Sequence, residues 1–490
     1  MLTLFIIIPL FGAFVIFLVG KYSKNISYFM GWIVPAFLSV LALSLVGTKE
    51  TLTYQIGGWV QPLGITLVGD GLSLFFLPVI NIIVFAAAVF SIPYIEKYTS
   101  KWIYFALFLV MQASMNAVVL TGDIFNLFIW IEVGGLASYA LVCYKVEPEA
   151  LESSFKYAVL NSVGLLFVLF GIGLLYAYTS TLNMAEIGRI LHERPNLKLV
   201  GFVTVLFFTG FGLKSAIVPF HSWLPDAHSS APSPVSALLS GVLIKSLGIY
   251  TLLRIMFNVF GFNLYISKLF IFLGLLSIIT GGILAIYQKD MKRLLAYSTI
   301  SQVGYIIFSF GLGTPLGMFA GFFHLVNHAA AKSLLFLTSG AVLHVTGERE
   351  MGKLGGLREK MPVTAFTSMV GSMSVSGVPP FGGFWSKLVI IIAAVQAREF
   401  LGASVAVGIS IVTLAYYLKL QKNVFFGELK PVWNNIKEAP WMMCFSMILL
   451  AILCIGLGAL LLPGVRAVFI TPAVNVLAGG MQYCNAVLRI

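Results

Sequence analysis

The sequence predicts an all-α polytopic membrane protein with about fourteen transmembrane helices, and three observations lead there. Of 490 residues, 59% are hydrophobic and only 10% charged, where a soluble domain carries about 25% charged residues. The apolar residues gather into runs of about 20, the length that crosses about 30 Å of hydrocarbon. The 30 Lys and Arg residues also sort unequally between alternate loops. Such a balance excludes a soluble enzyme, a disordered chain and a nucleic-acid binder. The lipid bilayer is the expected surrounding. The four cysteines, Cys143, Cys444, Cys454 and Cys484, have neither zinc-site nor disulfide spacing. With no haem or iron–sulfur signature either, no metal and no cofactor is expected in this chain.

The spans fall near 2–20, 27–47, 73–92, 103–121, 124–144, 157–178 and 198–220, then near 234–258, 266–287, 294–313, 316–343, 362–396, 402–421 and 441–463. The first has no basic stretch before it and no small-residue cleavage site after it, so it reads as a retained helix. Between spans two and three, 51–69 alternates Tyr, Ile and Val and carries Gly-Gly, which suits a strand hairpin outside the membrane. Between spans six and seven, 184–191 suits a short amphipathic surface helix. The charged segment 347–362 and the loop 431–440 are connectors, the first a candidate docking surface. The last stretch, 464–490, is too interrupted by Gly and Asn for a fifteenth span.

Loops after odd-numbered spans hold 17 of the Lys and Arg residues, and the opposite side, with both termini, holds 9. Positive residues stay cytoplasmic, so both termini are expected outside a cell membrane. The remaining four, Lys214, Lys245, Lys332 and Lys387, lie inside spans. So does Glu132, and His324 and His328 share one span with Lys332. A central charge costs roughly 2.5–3.5 kcal/mol to insert and normally marks an ion or proton path.

Glu132 (span five) and Lys214 (span seven) form the first constellation. At about 4 Å and an effective dielectric of about 20 they would attract by roughly 4 kcal/mol. That is about a thousandfold in the proton affinity of the lysine. The pair is either a switch that releases a proton when the carboxylate moves, or a static pair that fixes helix packing. Lys245 in span eight is placed to take that proton. His324, His328 and Lys332 recur at i, i+4 and i+8, on one helix face. They suit a relay, a set of structural hydrogen bonds, or a metal or haem ligand pair, although no third ligand of suitable spacing follows.

Two spans are broken. Span seven runs into Val218-Pro-Phe-His-Ser-Trp-Leu-Pro-Asp-Ala-His-Ser-Ser-Ala-Pro-Ser-Pro234, and span twelve contains Val378-Pro-Pro-Phe-Gly-Gly-Phe-Trp385. Prolines remove backbone donors, and irregular backbone at membrane depth must be buried in protein or line a cavity. Both breaks share Val-Pro, an aromatic residue and Trp, and they are five spans apart. An odd offset inverts the second copy, so spans 4–8 and 9–13 read as two inverted five-helix repeats with breaks in helices 7 and 12; two unrelated proline kinks are the alternative. The expected organisation is 1–102 (three helices and the hairpin), 103–260 (first repeat), 261–425 (second repeat) and 426–490 (last helix and tail). His221, Asp226 and His228, in the first break, either line a water-filled inlet or clamp the loop. Lys387, just after the second break, is the natural terminal site.

Together these residues resemble the antiporter-like, ion-translocating subunits shared by Mrp-type sodium/proton antiporters, respiratory complex I and membrane-bound hydrogenases. The resemblance runs from about residue 65 to about 460. It rests on Glu132, on Lys214 ahead of Pro219–His228, on Lys245, on Lys387 after Val378–Phe384, and on Lys292-Arg-Leu-Leu-Ala-Tyr-Ser-Thr-Ile-Ser-Gln-Val-Gly304. It implies fourteen core helices, proton half-channels in the two repeats and a polar chain joining them. It implies other membrane subunits as partners, protons and sodium as ions, and no redox centre in this chain. The sequence is similar to the D-type subunits of Mrp antiporters, while Phe220–Pro234 resembles redox-linked relatives, and some family members carry glutamate where Lys387 stands. A stand-alone carrier of a small solute is the competing reading. The third is a membrane component bearing quinone or haem.

Overall fold

A computed structural model describes residues 1–488; Arg489, counted above with the outward set, lies outside the described residues. In chain order the elements are α1 (Leu4–Val19), α2 (Lys24–Ser44), strands β1 (Leu52–Gln55) and β2 (Thr66–Gly69), α3 (Gly71–Ile95), α4 (Lys101–Leu120), α5 (Ile124–Val142) and α6 (Pro148–Thr179). Next come α7 (Met184–Glu193), α8 (Leu197–Ser215), α9 (Trp223–Ser230), α10 (Ser233–Val259), α11 (Leu264–Ile286), α12 (Met291–Gly311) and α13 (Pro315–Thr346). The chain continues through α14 (Pro362–Ser376), α15 (Gly382–Gln396), α16 (Phe400–Phe426) and α17 (Trp441–Leu461), then α18 (Pro463–Phe469), α19 (Thr471–Ala478) and α20 (Gln482–Leu488).

Among the described residues, twelve helices are long and apolar enough to cross a membrane. The other two apolar runs are also helical but shorter: α1 has 16 residues, and the twelfth run is divided into α14 and α15 of 15 each. The helices form two shells. The inner one, α3, α4, α10, α12 and α13, is almost wholly buried, while α2, α6, α11, α16 and α17 present most of their surface outward. Inner helices are the ones that can carry polar side chains, because protein rather than lipid surrounds them.

The hairpin pairs β1 and β2 antiparallel, Leu52 opposite Gly69. Leu2 packs on Gly69, and Tyr483 approaches Gly122, which bonds to Thr66. Both ends of the described chain therefore lie on the hairpin side. On the opposite side, ion pairs tie the loops together. Asp290 caps α12 by accepting from the Lys292 and Arg293 amides, and its other oxygen meets Arg349 at 2.9 Å. Arg349 also reaches Glu149 at 3.0 Å.

Two cations that hydropathy sorts into loops are buried instead. Arg254 is bidentate to Asp70, both contacts at 2.7 Å, with Ser73, Tyr250 and Asn258 completing the shell. Lys292 is about 1% exposed, its ammonium held by the carbonyls of Ser229 and Ala231 at the end of the first break. Long cationic stems at helix ends look loop-like in a hydropathy profile, yet they fold inward when a partner waits there. The tail also folds: α19 and α20 lie on the hairpin side, where the Tyr483 ring covers the Arg254 guanidinium at 4.5 Å.

Glu96, after α3, gathers Lys24 and Lys101 (3.0 Å each) and the Tyr28 hydroxyl, joining α2, α3 and α4. The Tyr28 hydrogen bond first, then the two lysines, hold its carboxyl at about 2 against an ordinary 4.5. A depressed folded value means the contribution is complete above about pH 4.5 and fades as pH falls toward about 2. The side chain is 47% exposed, so solvent screening limits the gain to below about 1 kcal/mol. Melting curves of Glu96→Gln in detergent should lie slightly below wild type near neutral pH and converge with it as pH falls to about 2; a constant offset would contradict this.

Candidate functional site

The site grows from the two breaks. After α8, Ala216 takes a left-handed conformation (φ 53°) and the helix stops. The indole of Trp223 donates to the freed Leu213 carbonyl at 2.9 Å and stacks on Tyr157 at 4.1 Å. The second break follows the same plan with Gly377 (φ 81°) between α14 and α15. The shared Trp is not equivalent, however: Trp223 is buried, whereas Trp385 lies on the outer surface at 36% exposure.

Lys214, Lys245, Lys332 and Lys387 are all buried, none more than 4% exposed. Lys214 stands in the last turn of α8. Its ammonium donates to the Tyr139 hydroxyl at 3.0 Å, and a Cβ on Gly135 would come within 3.0 Å of it. Glu132, Gly135 and Tyr139 share one face of α5 at i, i+3 and i+7, so Lys214 sits over the gap that glycine leaves between acid and phenol. The contact expected between Glu132 and Lys214 is not made: no ion pair within 4.0 Å joins them, and Glu132 Oε2 is buried without a partner. Tyr139, one helical turn beyond Gly135, takes the place expected for the carboxylate.

Lys245 lies in a π-helical stretch of α10, Leu239–Tyr250, and its ammonium bonds to the Ser240 carbonyl. Such widened turns are frequent at functional positions. Ser240 in turn meets Thr299 of α12 at 2.7 Å. Lys332 donates to the Leu295 carbonyl and the Tyr417 hydroxyl, 2.9 Å each. The rings of His324 and His328 stack at 6.2 Å, and His324 Nδ1 meets Ser386 Oγ at 3.0 Å. Lys387, next to Ser386, lies over the Tyr305 ring at 5.0 Å. Gln302, His324, Asn327, His328 and Ser374 line one small gap. Both amide atoms of Gln302, both nitrogens of His328, His324 Nε2 and Lys387 Nζ find no hydrogen-bond partner in the protein. The gap as it stands has no room for a water molecule, so a bridging water enters only when the side chains around it part.

The three residues of the first break separate. Asp226 is a clamp at the surface, 2.8 Å from Arg293 and 3.8 Å from Lys156. His221 is half-buried with Nδ1 unpartnered. His228 belongs to no loop inlet: it is fully buried in α9, stacked on Phe336 at 4.6 Å, within the fields of Lys292, Lys332 and Lys245. A second half-helix carries it inward, which proline spacing alone does not reveal. Among the described residues no three His, Cys, Asp or Glu side chains gather as a metal site.

Sequence reasoning does not single out Tyr139, Tyr305 or Tyr417, and it gives Lys292 and Gln302, which lie in the 292–304 stretch that carries the resemblance, no role of their own. Gln302 is legible as a polar residue inside an apolar run; the tyrosines are not, since tyrosine is common at membrane interfaces. Replacing Tyr139 by Phe removes one hydrogen bond to a buried ammonium, about 1.5 kcal/mol net at the low end for a charged group. Ion transport in vesicles is expected to fall about tenfold with the protein still assembled.

Residues 121–413 match the family described as NADH:quinone oxidoreductase/Mrp antiporter, TM, a stretch that holds every candidate residue above except Tyr417. Over 478 residues the chain is 32% identical to the N-type subunit of the NADH-quinone oxidoreductase of Desulforudis audaxviator, covering 94% of each. It is 31% identical to the D-type subunit of the Na(+)/H(+) antiporter of Alkalihalophilus pseudofirmus, covering 87% of each. A chain in the structure of the membrane-bound sulfane sulfur reductase, an archaeal respiratory membrane complex, is 30% identical and superposes with a TM-score of 0.91 over 99% of both chains. A multi-pass integral membrane chain with two broken helices and a buried row of lysines and histidines, it belongs to the NADH:quinone oxidoreductase/Mrp antiporter transmembrane family.

Proposed function

We propose that this chain is the proton-translocating, antiporter-like subunit of a multisubunit membrane complex of the Mrp or respiratory type. One observation carries the reading: ionisable side chains are buried in both halves of the protein, Lys214, His228 and Lys245 in the first and His324, His328, Lys332 and Lys387 in the second, and those other than Lys214 lie within one another's fields. A change at Glu132 alters the field on Lys214, and the displaced proton moves along this row toward Lys387. Moving one charge across 100 mV costs about 2.3 kcal/mol, a size that buried charges at these separations can supply.

In this reading α1 and the α14–α15 pair complete fourteen crossings, with two inverted five-helix repeats at 103–260 and 261–425, flanked by 1–102 and 426–490. The even number places both termini on one side, and the sorting of Lys and Arg assigns that side to the outside of the cell membrane. The chain carries no redox centre of its own. Sodium, named in one relative, is the second ion to assay, and the partners are neighbouring membrane subunits.

Gentle solubilisation tests the reading. The chain should migrate with several other membrane subunits, and the intact assembly should move protons in vesicles. Migration alone, with solute transport by the single purified chain, would instead establish a stand-alone carrier.

A further inference from the structure

On the surface facing the bilayer, α2, α3, α13, α17 and α18 frame an open apolar groove of about 690 Å³. Val79 and Ile83 of α3 and Val326 and Ala330 of α13 form its floor. It starts near Val46, just past the end of α2, and reaches inward to the depth of Ala330. At its hairpin end the lining changes character. A narrow gap shares Val46 and Phe469 with the groove, and shares Thr48 and Pro472 with a second cavity of about 440 Å³. The three spaces therefore adjoin one another, the gap between the two larger ones narrowing to about 10 Å³. The second cavity is polar, with Thr48, Lys49, Asn475 and Gln482 in its wall. Asp70 also borders it, but its charge is matched by Arg254. Lys49 has no ion pair within 4.0 Å among the described residues, and remains the uncompensated charge of the cavity.

We propose that the polar cavity and the adjoining groove together bind one glycerophospholipid, with its phosphate at Lys49 and an acyl chain passing over the outer side of the narrow gap into the groove. The order of the parts supports it: the polar cavity lies at the membrane surface beside the hairpin, and the apolar groove runs from there toward the midplane, as a lipid in that leaflet runs. Both volumes fall within the range of about 300–1,000 Å³ typical of ligand sites. A helix of a neighbouring subunit would fill the groove but leave the basic, hydroxyl- and amide-lined cavity without a partner. The site is built by the tail, since α18–α20 supply one wall of both spaces. It also lies behind the relay: at 100° per residue, Val326 and Ala330 face away from His324 and His328 on α13. One helix separates the lipid from the histidines.

The test uses the protein purified in mild detergent with its companions. Lipid analysis and native mass spectrometry should find one retained phospholipid, and a delipidated sample should recover its melting midpoint when dioleoylphosphatidylglycerol is added. Gly456 and Gly464 line the groove, and a Cβ on either meets nothing within 4 Å, so the side chain of Gly456→Phe starts in open space and extends into the groove. That variant should assemble normally and lose the retained lipid. Lys49→Gln should weaken rebinding about fivefold, the worth of one cation near an anionic headgroup. Equal lipid retention by wild type and Gly456→Phe would overturn the proposal. So would a Gly464→Cys variant that cross-links to a companion subunit while no phospholipid is retained.

Discussion

Membranes carrying Glu132→Gln are expected to keep the assembled protein and to lose translocation about thirtyfold. Glutamine preserves shape and hydrogen bonding, so α5 should pack as before. What disappears is the negative charge facing Lys214 across Gly135. The two groups form no ion pair, yet the carboxylate's field reaches the ammonium; for two unit charges twice the contact distance apart, ~8 Å, an effective dielectric of about 20 gives an attraction of about 2 kcal/mol. At about 1.4 kcal/mol per decade this amounts to about thirtyfold. Proton uptake by inverted vesicles, normalised to complex on a native gel, measures it. Undiminished uptake would remove Glu132 from the mechanism and leave Tyr139 as the only group that positions Lys214.

Stability should respond most to the buried pair of Asp70 and Arg254. Asp70 caps α3, accepting from the Ser73 amide at 3.0 Å, while both oxygens hold the guanidinium of α10. Asp70→Asn leaves Arg254 charged, buried and without a counter-ion, a loss of about 3–5 kcal/mol. The melting midpoint in detergent should fall steeply, and the tail should become sensitive to protease, because Tyr483 rests on the same guanidinium. Asp70→Leu combined with Arg254→Met should recover much of the loss, since removing both charges removes the desolvation cost as well. If the double variant is as unstable as the single one, the pair acts through geometry rather than charge.

Much of this protein is readable before it folds, because insertion into lipid is judged run by run. Each of the fourteen apolar runs becomes helix, the hairpin forms at 52–69, and the amphipathic surface helix occupies Met184–Glu193. Both proline-rich interruptions are true breaks, since a missing amide donor acts locally. Lys214, Lys245, Lys332, Lys387, His324 and His328 are visible for the same reason: a charged or titratable residue within an apolar run is conspicuous wherever its partner lies.

The partners themselves are not legible. Lys214 meets a tyrosine 75 residues away, and Arg254 meets an aspartate at a separation of 184. Neither choice follows from local composition, and sorting Lys and Arg by loop places Arg254 and Lys292 in water because a cation near the end of a span is counted with the adjoining loop. Hydrophobicity and backbone donors belong to each residue and its immediate neighbours, so they can be read along the chain. The field at a buried charge instead depends on atoms brought within a few ångströms by helix packing, and that is settled when the shells close around α10, α12 and α13.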